Sequence, residues 1–128
     1  MTEDVGGGIC QISCLLYLNA LKTGLRIIER HAHSVDIYQE HERFTPLGSD
    51  AAVVYAYKDL QFQNHLDFPI QIQILRQHNQ LLALFVTKRP TRTYFLDFVM
   101  EDAEQYRIVN TYADHKHIAK SSYKIMHS

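Results

Sequence analysis

Residues 9–23 carry apolar side chains at Ile9, Ile12, Leu15, Leu16, Leu18, Ala20 and Leu21, on nearly every face of a helical projection. A helix that is apolar all round must be buried, so the remainder of the chain has to supply the layer that buries it. Gly24 follows Lys22 and Thr23 where a helix-ending glycine is expected. Upstream stand Gly6, Gly7 and Gly8, whose access to positive φ predicts a tight loop feeding the helix. Cys10 then falls in or near the first turn. A thiol there meets unpaired backbone N–H groups and the positive end of the helix dipole, and both favour thiolate. The same N–H groups would hold the oxygen of a tetrahedral intermediate. Local pattern leaves a second reading open, in which the glycines only let a loop pass a neighbour and the cysteine is an inert core residue.

After Gly24 the pattern changes from helical to strand-like. Leu25 to Tyr38 is rich in β-branched residues and reads as a strand, bent near His31 and His33. In an unbroken strand these two histidines share a face and Ser34 points to the other. Residues 39–50 are polar, with Pro46, Gly48, Ser49 and Asp50, and read as a loop. Short strands are expected at Ala51–Tyr57, with Tyr55 and Tyr57 packing a sheet face, and at Leu60–Asn64. Ile70 to Ile74 alternates strictly between apolar and polar, and it returns through a turn at Gln77–Gln80 into Leu81–Thr87. Thr93–Met100 and Gln105–Tyr112 form a further pair around an acidic turn, Glu101 to Glu104. His115 to Ser128 is polar and basic, either a last strand or a loose tail. The fold class is α+β: one buried N-terminal helix followed by a mostly antiparallel β-sheet body.

Composition narrows the function classes. With 128 residues one hydrophobic core is expected. A formal charge of −1 and the lack of a long basic run give nucleic-acid binding no electrostatic support. No apolar run is long enough for a bilayer-spanning helix, and Met1-Thr2-Glu3-Asp4 does not resemble an export signal. Cys10 and Cys14 are four apart on one helix, so they share a face but are poorly placed for a mutual disulfide. Without a CxxC pair, and with only Cys10, His31 and His33 as visible ligands, no metal and no cofactor are expected. Oligomeric state is not legible.

Four ordered motifs carry a resemblance. They are Gly6-Gly7-Gly8-Ile9-Cys10-Gln11-Ile12-Ser13 with Leu16-Tyr17 and Asn19-Ala20; Glu29-Arg30-His31-Ala32-His33-Ser34; Gly48-Ser49-Asp50-Ala51-Ala52-Val53; and Asp59 to Asn64 with Asp67 and Pro69-Ile70. Together they resemble the VanW-like family of bacterial proteins, over residues 5–88. The resemblance divides the chain into a VanW-like domain at 1–88 and a C-terminal β-rich extension or tail at 89–128. Family domains carry a further segment before the glycine run, so a truncated domain is expected. The chain would be cytoplasmic as it stands, and extracytoplasmic if it is part of an exported protein.

The family is linked to the cell envelope, peptidoglycan and glycopeptide resistance. Some members are similar in role to L,D-transpeptidases, which join peptidoglycan stem peptides through a cysteine acyl-enzyme. That resemblance implies Cys10 as nucleophile, with the amides following Gly7 and Gly8 and the Gln11 side chain as oxyanion donors. His33 or His31 would be the base, His33 being preferred because Ser34 beside it would fix local geometry. The other histidine, Ser34 or Asp50 would orient that base. Cys14 stands where many relatives carry a hydroxyl or another small residue, which favours Cys10 as the functional thiol. Blander roles remain open: Asp50 capping a turn, Gln11 capping the helix. The rival class is a non-catalytic cell-wall or protein-binding module with an incomplete site.

Overall fold

A computed structural model of the chain describes residues 3–36 and 45–125. The described residues form one helix, α1 (Glu3–Thr23), followed by eight strands: β1 (Arg26–Glu29), β2 (Val35–Asp36), β3 (Gln61–Gln63), β4 (Gln71–Gln77), β5 (Gln80–Val86), β6 (Leu96–Ala103), β7 (Tyr106–Ala113) and β8 (Lys116–Ile125). The strands form three sheets. β1 pairs antiparallel with β3, β4 with β5, and a four-stranded sheet runs in the order β2-β8-β7-β6. Within it only β2 and β8 are parallel, with Val35 opposite Lys124 and Asp36 opposite Ile125. The expected α+β class is the one observed.

The helix differs from expectation at both its start and its buried face. It runs through Gly6, Gly7 and Gly8 instead of beginning after them. Glycine costs roughly 1 kcal/mol relative to alanine in a helix interior. Extending an existing helix is nevertheless far easier than nucleating one, so a formed 9–23 segment can carry the glycines with it. Burial follows one stripe, Ser13, Cys14, Tyr17, Ala20 and Leu21, whereas Ile9 is 43% exposed. Tyr17 and Leu21 pack with Ala51 and with the flanking Ile27, Leu60 and Leu96. Asn19 Nδ2 donates to the Ala83 carbonyl at 2.8 Å and ties the helix to β5. The helix ends as Gly24 implied. Gly24 takes φ +72°, and Gly24 N–H and Leu25 N–H donate to the Leu21 and Ala20 carbonyls at 3.1 and 2.9 Å, the two hydrogen bonds of a Schellman motif.

Three other segments depart from or resolve the sequence reading. The expected strand at Ala51–Tyr57 is a turn closed by an isolated bridge between Val54 and Lys58. Its backbone is committed elsewhere: the Ala51 carbonyl accepts from Ser13 Oγ at 2.5 Å, and Ala52 N–H donates to the His31 carbonyl at 2.8 Å. Tyr55 and Tyr57 therefore pack no sheet face, being 95% and 82% exposed. The reading of Leu25 to Tyr38 as one bent strand resolves into β1 and β2 with an irregular stretch between them that holds the histidines; Ile37 and Tyr38 lie outside the described residues, as do 39–44 of the expected loop. At the C-terminal end, β8 is a strand and not a tail, and Tyr123 on it packs with Leu47 and Val109 in a second small core. Among the described residues no helix is long and apolar enough to cross a membrane.

Candidate active site

The site lies where α1, the irregular stretch after β1, the loop before Ala51 and strand β8 meet. Each element is fixed by side chain to backbone bonds. On α1, Ser13 and Cys14 hold Ala51: Ser13 Oγ bonds its carbonyl, and Ala51 N–H donates to Cys14 Sγ at 3.2 Å. Just before Asp50 the chain turns tightly, with Ser49 N–H and Oγ both donating to the Pro46 carbonyl at 3.0 and 2.5 Å. Gly48 has φ +97°, and a Cβ there would stand 2.5 Å from Val109 Cγ1. Only glycine meets both conditions.

These constraints deliver Asp50, whose two oxygens have separate duties. Oδ2 accepts from His33 backbone N–H at 2.7 Å and bonds His33 Nδ1 at 2.6 Å. Oδ1 accepts from the Tyr123 hydroxyl and from Arg30 Nη2, the latter at 3.4 Å. The Arg30 guanidinium also donates from Nε to the Asp50 carbonyl at 2.9 Å, from Nη2 to the Gly48 carbonyl at 3.0 Å and from Nη1 to Ser121 Oγ at 2.7 Å. Its face lies 4.6 Å from the Tyr17 ring centroid. Arg30 is thus a planar fork that ties one loop to α1 and β8, a geometry lysine cannot copy.

The Cys10 thiol is close enough to His33 to act on its titration. Since Nδ1 is taken by Asp50, the nitrogen left for the thiol is Nε2. The Asp50 hydrogen bond is the main reason the His33 pKa is raised; burial opposes it and the neighbouring Cys10 adds to it. Burial alone would raise Asp50, but bonds from His33 and Tyr123 and the Arg30 charge outweigh it and hold its carboxyl below the usual range. Cys14 is a different thiol. It is fully buried, and burial pushes its pKa up to about 12.

Of the residues expected at the site, Cys10, His33 and Asp50 come together. His31 does not join them: its Nε2 contacts Glu29 Oε2 at 3.0 Å. The chain leaves strand geometry after Glu29, so the face that His31 and His33 were expected to share does not exist. Ser34 is exposed, and its carbonyl accepts from Lys124 N–H at 2.8 Å, which anchors the stretch to β8. Gln11 is half-buried, one position past Cys10. Gly7 and Gly8 lie inside α1, and Cys10 is the eighth residue of the helix, so it is not in the first turn. The amides that follow them, those of Ile9 and Cys10, therefore fall where a helix spends them on carbonyls four residues back. Two residues were missed. Arg30 had a signal, as the cation within the Arg-His-x-His-Ser motif. Tyr123 had none, lying 73 residues from Asp50 in a stretch without a motif.

A thiol beside an imidazole that is hydrogen-bonded to a partly buried carboxylate is the arrangement that nucleophile, base and orienter chemistry starts from. The family model described as VanW like protein matches residues 1–86, and the chain belongs to that family. It is 34% identical over 82 residues to the uncharacterized protein YoaR of Bacillus subtilis (strain 168), covering 64% of this chain and 25% of that protein. It is 33% identical over 95 residues to the vancomycin B-type resistance protein VanW of Enterococcus faecalis (strain ATCC 700802 / V583), covering 73% of this chain and 34% of that protein. The matched region thus spans only a quarter to a third of these relatives. No solved structure matches the chain.

Proposed function

We propose that this chain carries a cysteine acyl-transfer site that acts at the bacterial cell envelope, on peptidoglycan stem peptides, in the manner of an L,D-transpeptidase. The observation that carries the reading is the hydrogen-bonded His33–Asp50 pair with the Cys10 thiol beside the imidazole. The envelope setting is supported by the printed name of the VanW relative, a vancomycin B-type resistance protein. In the first step His33 accepts the Cys10 proton and Sγ attacks a stem-peptide amide carbon. The C–N bond then breaks, the leaving amine takes the proton from His33, and a thioester remains. In the second step the amine of another stem attacks the thioester carbon, His33 takes the amine's proton, and Cys10 leaves as the thiol that receives it. Asp50 keeps the imidazole turned so that Nε2 faces the sulfur throughout, and it stabilises the imidazolium.

A non-catalytic binding module is the second reading, favoured by the helical state of the glycine run, which leaves the amides following Gly7 and Gly8 unavailable to an oxyanion. On the catalytic reading Gln11 supplies a side-chain N–H, and the helix opens at its glycines to supply backbone donors. Three consecutive glycines make that opening inexpensive, at roughly 1 kcal/mol per residue relative to alanine. The test is incubation of the chain with disaccharide-peptide fragments of peptidoglycan, with products followed by mass spectrometry. Cross-linked dimers are expected with the wild type and not with a folded Cys10→Ala variant. Binding of the fragments with no product, equal in both proteins, would establish the module instead.

A further inference from the structure

We infer that Tyr123, on β8, is a positioning residue for this site: its hydroxyl holds Asp50 Oδ1 so that Oδ2 faces His33. The inference rests on Cys10–His33–Asp50 being the working site. Tyr123 lies beyond the residues matched by the family model, so it adds to the site a part that the four motifs do not contain.

The direction of each hydrogen bond can be followed. Arg30 Nη1 donates to Ser121 Oγ at 2.7 Å, which fixes the serine beside Tyr123. The two residues are two apart on β8 and so share a face. Gly48 N–H donates to the Tyr123 oxygen at 3.1 Å. With its oxygen accepting, the single phenolic proton goes to Asp50 Oδ1. Ser121 and Tyr123 are 2% and 1% exposed, and the Tyr123 ring is packed with Leu47 and Val109, so the hydroxyl has no second position available. A carboxylate gripped at one oxygen cannot rotate, and that sets the orientation of the imidazole at the other. Around Asp50 the charged and titratable groups are Arg30 and His33 from the stretch after β1, Tyr123 from β8, and Cys14 and Tyr17 from α1.

The test is the rate of Cys10 alkylation by iodoacetamide against pH in four proteins: wild type, Tyr123→Phe, Asp50→Asn and the double variant. Tyr123→Phe is expected to slow Cys10 near neutral pH by roughly tenfold, the scale of one hydrogen bond to a charged group. It is expected to change nothing further when Asp50 is already Asn. An unchanged rate and pH profile in folded Tyr123→Phe, or an equal loss in both backgrounds, overturns the inference. Should Tyr123→Phe not fold, the wild type supplies the second measurement. Its Tyr123 hydroxyl proton is expected as a slowly exchanging NMR resonance that moves as His33 titrates; rapid exchange, or no movement, overturns the inference. Alkylation needs no peptidoglycan. Absent cross-linking with the Tyr123 effect intact therefore removes the proposed reaction alone, and cross-linking without that effect removes the positioning role alone.

Discussion

Asp50 Oδ2 lies 2.6 Å from His33 Nδ1 and 2.7 Å from the backbone nitrogen of the same residue. One oxygen therefore fixes both the ring and the backbone that carries it, and this matters because His33 sits outside regular strand structure. Its pKa is raised and that of Asp50 is lowered, so the pair gives stability a definite pH dependence. The folded state binds the His33 proton more tightly than the unfolded chain. That contribution is fully present below the ordinary value of 6.5 and is lost as pH rises through the folded pKa. The Asp50 contribution has the opposite sense: it is present above the ordinary 3.8 and is lost as pH falls through the lower folded value. Both act between 3.8 and 6.5. Urea midpoints are expected to peak in that window for the wild type and to flatten in Asp50→Asn; the same pH dependence in both would contradict the coupling.

The two thiols are expected to separate cleanly under a thiol probe. Cys10 is partly exposed and neighbours His33, whereas Cys14 is buried with its pKa pushed up to about 12. Peptide mapping after labelling at neutral pH should find the probe on Cys10, and on Cys14 only once urea has unfolded the chain. Labelling of both at similar rates would mean that Cys10 is not activated.

Arg30 joins Asp50, Gly48 and Ser121 through one guanidinium, with its side chain 8% exposed. Arg30→Met takes the guanidinium from the Asp50 carboxylate, two carbonyls and Ser121 Oγ, a loss expected to cost about 3–5 kcal/mol in urea unfolding. Arg30→Lys should recover only part, because an ammonium cannot reach the four acceptors as a fork. Full recovery by lysine would show that charge alone is what matters there.

Much of this was legible in local pattern. The Schellman end of α1 could be read from Gly24, and the strict alternation of Ile70 to Ile74 marked β4. The turn at His78-Asn79 was marked too, and both residues take positive φ, the hairpin geometry that two-residue loops favour; the like turn at Asp114-His115 was not marked. The site was half legible, since Cys10, His33 and Asp50 lie in separate motifs whose juxtaposition no local rule encodes. His31 and His33 looked equivalent because period-2 reasoning holds only in a continuous strand, and this one stops at Glu29. Ala51 to Tyr57 misled for a related reason. Its β-forming side chains were visible, but the bonds that Ser13, Cys14 and His31 make to its backbone were not. Tyr123 depends on a parallel pairing of β2 with β8, which joins residues about ninety apart.

Gly48 combines positive φ with a crowded Cα, and its backbone serves both Arg30 and Tyr123. Gly48→Ala is expected to cost about 1–3 kcal/mol from backbone strain alone, with more from the contact to Val109. It should also slow Cys10 alkylation, because the turn presents Asp50. Thermal unfolding together with alkylation rates checks both effects; a change in stability with normal alkylation would separate the turn from the site.

The most direct measurement of the catalytic reading is the intact mass of the chain after brief exposure to disaccharide-peptide fragments of peptidoglycan. The expected result is an added mass equal to the acyl part of a stem peptide, mapped to Cys10, absent in Cys10→Ala and strongly reduced in His33→Ala. No adduct on the wild type, or an adduct that forms equally well without His33, would contradict a Cys10 acyl-enzyme generated by the His33–Asp50 pair.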